Sequence, residues 1–582
     1  MHYPTLRRLA VSRLMTETFR GYHHALKLRD GEFYETKNLS TEDYPLLTVR
    51  RAATKLPIEQ HAAQGMIAKD ALAWVDNGTL WYNGQPTGVT ALSPGDKQLV
   101  GMGAYIVIFP DKVYFNTADA SDHGSLEAHW RYTGPVRYAM CDSTGREYEH
   151  VTVQALAPEA PESGELWLDS AARQLKQYDA VTAMWVTVQT VFTKLSFTTQ
   201  GQLRQHFGEH DGVTLSGAAL EGLDGSKVLY ALGGEEGREN DWLTVVGIAA
   251  ETVENPDDTI TLDRTVPTLD YVCECQNRLW GCYYGSDGER NLNELYCCAL
   301  GDFKNWNQYL GLSTDSWRAS VGSDGVWTGC VNYLGSPTFF KEERIHTVTP
   351  SREGAHQVAE LPARGVQQGS SRSLAIVGET LYYKARSEVC AYQGGFPSGV
   401  SAALGDERYS EAVGGVFGGN YWLSMRDASG EWQLFCLDTA RALWMHVNGT
   451  HVRQFETLDD SLLALIGDAL WDLNGAAEGE QEGEREWLAE SGILYCEYPD
   501  SKYLSRYNLR LHAERGAEVR MAVEYDSSGV WESAGCFTPS GTGTVMLPLQ
   551  PRRCDHMRLR LSGRGEVKLF SITRILEKGS DV

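Results

Sequence analysis

Gly378-Glu379-Thr380-Leu381-Tyr382-Tyr383, Gly419-Asn420-Tyr421-Trp422-Leu423 and Gly467-Asp468-Ala469-Leu470-Trp471-Asp472 repeat one device. A Gly, Asn or Asp turn is followed by an aliphatic and one or two aromatic side chains that alternate into a strand. Starting at Phe339, the anchors fall at Leu381, Trp422 and Leu470, separations of 42, 41 and 48 residues. Four short strands with their turns fill roughly 40 to 50 residues, which is one blade of a β-propeller. A four-stranded blade buries neither face alone, so its Trp, Tyr and Leu side chains fill the wedge against the next blade, and the series must close on itself. The competing architecture is a pair of β-sandwiches, because all-β chains carry turn signals every 8–12 residues as a matter of course. Recurrence at blade spacing favours the propeller.

Working outward, the same unit opens earlier at Asn77-Gly78-Thr79-Leu80-Trp81-Tyr82 and Asn277-Arg278-Leu279-Trp280. Strand pairs are legible at 371–377 with 381–384, 411–417 with 421–425, and 432–438 with 442–448. The rhythm breaks between Leu80 or Tyr105 and Leu279, and the intervening chain carries its own strands and Gly/Asp/Glu turns. We read it as a small antiparallel barrel inserted in a propeller loop, since loop-closure cost grows slowly with length. The tract Glu478-Gly479-Glu480-Gln481-Glu482-Gly483-Glu484 reads as a linker too charged to pack. Alternation then resumes through Leu509, Leu511, Val519, Met521, Val523, Leu559 and Leu561, as in a β-sandwich. The expected plan is all-β: an N-terminal arm 1–55, first propeller strands 56–127, an inserted β-barrel-like domain 128–265, remaining blades 266–477, an acidic linker 478–486 and a C-terminal β-sandwich 487–582.

Composition bounds the function. The chain has 582 residues with a formal net charge of -25, divided as -29 over 1–500 and +4 over 501–582. Such acidity disfavours wrapping nucleic acid or lying on an anionic membrane. No stretch approaches the roughly 18 apolar residues of a membrane span, and Met1-His2-Tyr3-Pro4 lacks the layout of a secretion signal, so a cytosolic origin is expected. The 12 cysteines sit mostly in apolar runs and read as free, buried thiols. Asn77-Gly78-Thr79 and Asn448-Gly449-Thr450 match a glycosylation acceptor but read as hairpin turns.

No catalytic, cofactor-binding or metal-binding residue is nominated. Cys273 and Cys275, with Cys282, Cys297 and Cys298 beyond, lie two apart in an apparent strand, too far apart to clip one zinc ion. His206 and His210 have a metal-like spacing only on a helix, which Gly208 opposes. Ser323-Asp324-Gly325-Val326-Trp327 matches part of the Asp box of sialidase propellers, with Gly322 where a Ser or Thr belongs. A glycosidase needs two carboxylates in different environments. With 77 acidic residues, the sequence singles out no pair.

Three stretches stand out beside the repeats: Gly21-Tyr22-His23-His24 with Asp30-Gly31-Glu32-Phe33-Tyr34-Glu35 and Tyr44-Pro45-Leu46-Leu47; Pro267-Thr268-Leu269-Asp270-Tyr271 through Phe339-Phe340-Lys341-Glu342; and Pro551-Arg552-Arg553-Cys554-Asp555-His556-Met557-Arg558-Leu559-Arg560. Together they resemble a family of bacteriophage tail structural proteins, the propeller-containing nozzle or hub proteins of short-tailed phages. The resemblance implies a virion component without enzymatic activity, assembled in the bacterial host cytoplasm. It implies a ring of like chains, a hexamer, below portal and adaptor, connected to tail fibres and lining the channel through which viral DNA passes. No cofactor is expected. Acidic loops would face that lumen and repel phosphate. Phe33, Tyr34, Tyr44 and Leu46 of the arm, with Arg552, Arg553, Arg558 and Arg560, are the candidate assembly contacts. The alternatives are a glycan- or receptor-binding tail module and a propeller glycoside hydrolase.

Overall fold

The structure, a computed structural model, describes residues 11–25, 27–286, 288, 290–351, 353–496, 502–550 and 552–578. Residues 1–10 of the arm and Pro551 of the closing stretch lie outside these. The fold is all-β: a propeller carrying an inserted β domain and a C-terminal sandwich. Among the described residues no helix is long and apolar enough to cross a membrane.

Among the described residues seven sheets form the propeller, with inner strands Ala63–Ala68, Gln98–Met102, Tyr271–Glu274, Gly329–Tyr333, Ala375–Val377, Ser410–Phe417 and Gln454–Leu458. Each inner strand packs on the next, Gly329–Tyr333 through the turn Ser371–Ser373 that opens the fifth blade, and Gln454–Leu458 packs back on Ala63–Ala68, so the ring closes. Apolar clusters fill the seams. Ala73, Val75 and Leu80 of the first blade meet Ile106 and Phe115 of the second, and Met66 and Trp74 meet Leu463 and Leu470 of the seventh. Closure of this kind excludes the sandwich-pair alternative. Asn77 and Gly78 adopt positive φ between Leu72–Asp76 and Thr79–Tyr82, the turn that matches the twist of a two-residue hairpin.

The 48-residue step between anchors has a physical origin. Leu381 and Trp422 lie on second strands, Thr380–Lys384 and Asn420–Arg426, whereas Leu470 lies on a third strand, Ala469–Asp472. The fourth position of that last blade is filled by Thr54–Lys55 from the N-terminal arm.

The insert runs from Ala128 to Arg264. One seven-stranded antiparallel sheet surrounds a core of Trp130, Tyr138, Phe197, Leu215, Leu243 and Ile260, and a four-stranded sheet covers its flank. Two polar bonds fix it to the third blade: the Gly212 N–H donates to Asn305 Oδ1 at 2.8 Å, and the Asn305 Nδ2 donates to Asp211 Oδ1 at 3.2 Å.

The arm and the acidic tract depart from expectation. Gly21–Tyr22 and Glu32–Lys37 extend the sixth blade and join it through Glu486–Ser491 to the sandwich strands, giving one ten-stranded sheet. The segment 478–486 is not a free linker. Glu480–Gln481 pairs with Thr54–Lys55, and Glu482 takes both Nη groups of buried Arg50 at 2.8 and 2.9 Å. Charge excludes a segment from a core only while it lacks a partner, and Arg50 supplies one.

Candidate functional site

The ring of inner strands encloses an axial cavity of about 600 Å³. Its wall is polar, with Asp96, Gln98, Asp270, Ser371, Arg372, Glu411, Arg453 and Gln454, and its aromatic surfaces are Tyr271, Trp432 and His451. These side chains come from five of the seven blades, on or beside the inner strands except for Trp432, which opens the third strand of the sixth blade. There, residues that point along the seams are apolar, and their neighbours are left to face the axis.

The charges are ordered. Asp96, just before the second blade, lies 3.2 Å from Arg372 of the fifth blade and 3.1 Å from Arg453 of the seventh. Arg453 also reaches Asp468 at 3.5 Å. Glu411 pairs with Arg426 at 3.3 Å. Asp270 accepts the Tyr284 N–H at 2.8 Å, and burial raises its carboxyl above the usual range. Glu456, two residues along the strand from Gln454, is enclosed more completely. Burial pushes its carboxyl up to about 7, against the opposing pull of the Ala68 N–H, the Gln454 amide and nearby Arg372. The cavity wall thus places the ion-paired carboxylates Asp96 and Glu411 together with Asp270, a carboxyl whose charge burial disfavours, while Glu456 stands behind the wall, bonded to Gln454.

Trp432 and His451 stack at 3.7 Å between centroids and 12° between planes, forming an aromatic shelf in the wall. Burial, reinforced by Arg453, lowers the His451 pKa and so favours the neutral imidazole. A flat apolar surface bordered by hydrogen-bonding groups suits the face of a sugar ring.

The residues nominated from sequence lie elsewhere. Phe33 is 3% exposed in the sandwich core, with Phe19, Leu39 and Leu47, so it is an internal anchor and not an assembly contact. Tyr34 lies beneath the Arg558 guanidinium, Tyr44 beneath that of Arg441, and Leu46 is half-buried. Arg558 and Arg560 are not a basic face: both pair with Glu490, and Arg558 also with Glu524. Arg552 pairs with Glu532, and Arg553 is exposed. Opposite charges from neighbouring strands cancel what strand alternation alone makes to look basic.

Burial disfavours the thiolate form of the enclosed cysteines. Cys273, Cys282 and Cys298 are buried, with pKa values well above the ordinary range; contact with Cys330 and then burial raise the first, and burial the other two. Among the described residues no group of three His, Cys, Asp or Glu side chains is placed to hold a metal ion. Asp96, Asp270, Arg372, Glu411 and Arg453 of the cavity wall, and Glu456 behind it, were not singled out from sequence. They are scattered over about 360 positions and share only their place beside an inner strand.

No family model matches the chain, and no curated protein matches it. Among solved structures it is similar to the exo-β-1,3-galactanase of Phanerochaete chrysosporium with galactose, at 9% identity and a TM-score of 0.22, covering 52% of this chain and 95% of that one. It is also similar to a glycoside hydrolase family 43 arabinoxylan arabinofuranohydrolase from Bacillus subtilis, at 8% identity and 0.15, covering 53% and 95%. A third is the tryptic core of a Cry1Da variant from Bacillus thuringiensis, at 11% identity and 0.13, covering 52% and 51%. One of these is named as a galactanase and another as a glycoside hydrolase, and on that finding the expectation of a chain without catalysis is withdrawn. Likeness of this degree assigns no activity in its place.

Proposed function

We propose that the chain is a carbohydrate-engaging propeller that holds a glycan in its axial cavity and hydrolyses it there. The observation that carries this reading is the meeting, in one polar cavity, of the Trp432–His451 shelf with carboxyl groups in contrasting environments: ion-paired Asp96, and Asp270, which burial raises. Glu456 stands behind that wall beside Gln454 and Arg372, and its carboxyl, pushed up to about 7, retains a proton below neutrality, as a proton donor to a glycosidic oxygen must. Reducing-end release from an oligosaccharide panel tests it. Release by the intact chain and its loss in Glu456→Gln supports hydrolysis, and binding without release limits the cavity to recognition.

A second reading, a ring-forming component of a phage tail with portal, adaptor and fibre proteins as neighbours, draws support from the resemblance above and from one structural feature. On the insert, Val181, Met184 and Val186 are exposed at and beside the edge strand Met184–Thr187, which pairs on one side only. An apolar open edge is a template for another chain. Negative-stain imaging tests this: closed rings lost in a Met184→Lys/Val186→Lys variant support it, and a strictly monomeric chain counts against it. The virion location and transit of DNA through such a ring belong to this reading.

A further inference from the structure

The axis carries more guanidinium chemistry than a neutral sugar needs. In a ring of seven the second and fifth blades are three apart, the greatest separation possible, so the Arg372–Asp96 pair spans the axis. Arg453 reaches the same carboxylate from the seventh blade. The arrangement is held from behind: Arg372 Nη1 donates to the Arg453 carbonyl at 3.0 Å, and Arg453 Nη2 to the Ala63 carbonyl at 2.9 Å. Burial weakens the basicity of Arg372, because its charge is poorly hydrated, and a poorly hydrated cation gains most from an anion.

The anion present is the chain's own. Asp96 is the most exposed member of the cluster, with 57% of its side chain accessible, and it comes from the connection between the first and second blades. We propose that Asp96 occupies a carboxylate-binding position formed by Arg372 and Arg453, and that a carboxylate-bearing sugar of the uronic acid class takes its place when a glycan enters. This rests on the carbohydrate reading above and adds to it the charge of the ligand. The entering carboxylate exchanges one ion pair for another. The sugar face then lies within the cavity that holds Trp432 and His451, and Gln98 and Ser371 offer hydrogen-bond partners in the same wall.

Calorimetric binding of oligogalacturonate and of neutral oligogalactose of equal length to the full chain tests the proposal. The intact chain is expected to prefer the acidic ligand by about tenfold or more. Arg372→Gln brings the ratio of the two affinities close to one. Asp96→Asn, which removes the internal competitor while keeping its size, tightens the acidic ligand about threefold to tenfold. Equal affinity of the intact chain for both ligands, or weaker acidic binding in Asp96→Asn, overturns the proposal and leaves the carbohydrate reading standing. Binding of neither ligand overturns both.

Discussion

The side-chain amide of Gln454 pairs with the backbone of Met66 at both ends, donating to its carbonyl at 2.6 Å and accepting its N–H at 3.1 Å. Gln98 holds Val272 in the same way, at 2.7 and 3.2 Å. Each amide imitates a rung of a β-ladder between radially adjacent inner strands. The two clamps sit where covalent continuity is weakest: at the closure between the seventh and first blades, and at the seam interrupted by the insert.

Removing either clamp leaves an inner-strand N–H and C=O without partners facing the axis. Gln454→Ala and Gln98→Ala are each expected to lower stability by about 1–3 kcal/mol. Because the sites lie on different seams, the losses should add in the double variant. Urea denaturation followed by tryptophan fluorescence measures this, and a loss below about 0.3 kcal/mol for both would show that the ring closes without them.

The arm should be indispensable for folding. Residues 11–55 supply Phe19, Phe33, Leu39 and Leu47 to the sandwich core and Thr54–Lys55 to the last blade. Deleting 1–55 is expected to give aggregated chain, measured as the soluble fraction on expression; a soluble, cooperatively melting product would contradict the arrangement. Arg50→Ala is the milder probe. It strands Glu482, which burial would then drive toward the protonated form, and is expected to cost about 2–4 kcal/mol.

Acidity of the medium should act through Glu456. Its carboxyl titrates near 7 in the folded chain, against an ordinary value of 4.5. Between those values the folded chain retains a proton that the unfolded chain has released. Stability therefore falls as pH rises through this window, by up to about 1.4 kcal/mol per unit from this group. Glu456→Gln should flatten that part of the profile and gain relative to the parent above pH 7, as read from melting temperatures between pH 4.5 and 8.

Trp432→Ala should weaken glycan binding about tenfold or more through loss of the stacking shelf. Trp432 lines the cavity and belongs to none of the seam clusters, so the melting temperature should move by only a few degrees. A large fall in melting temperature without a change in affinity would make the shelf structural.

The blades were legible because their signal is local and repeated: Trp432–Asp438 and its neighbours alternate, end at Gly, Asp or Asn, and recur at a fixed spacing. The arm was not. Gly21–Tyr22, Leu39–Ser40 and Thr54–Lys55 are two residues long, and no periodicity can be read from two residues; their strand state is imposed by the sheets that accept them. The acidic segment misled for a related reason, since Arg50, which neutralises Glu482, lies over 400 positions away. The site was illegible because a propeller brings together residues that share a radius and no motif. Asp96, Arg372 and Arg453 meet only after the ring has closed.

Thr54 and Lys55 complete a blade whose other strands end at Asp472. At about 5–20 residues per second on the ribosome, their partner emerges tens of seconds after they do. Until then the seventh-to-first seam, with Met66 and Trp74 on one side, has nothing to face. Each nascent chain therefore passes a long interval with an uncovered apolar wedge, and its yield in a cell should depend on chaperone supply and translation speed more than the melting temperature of the finished protein would indicate.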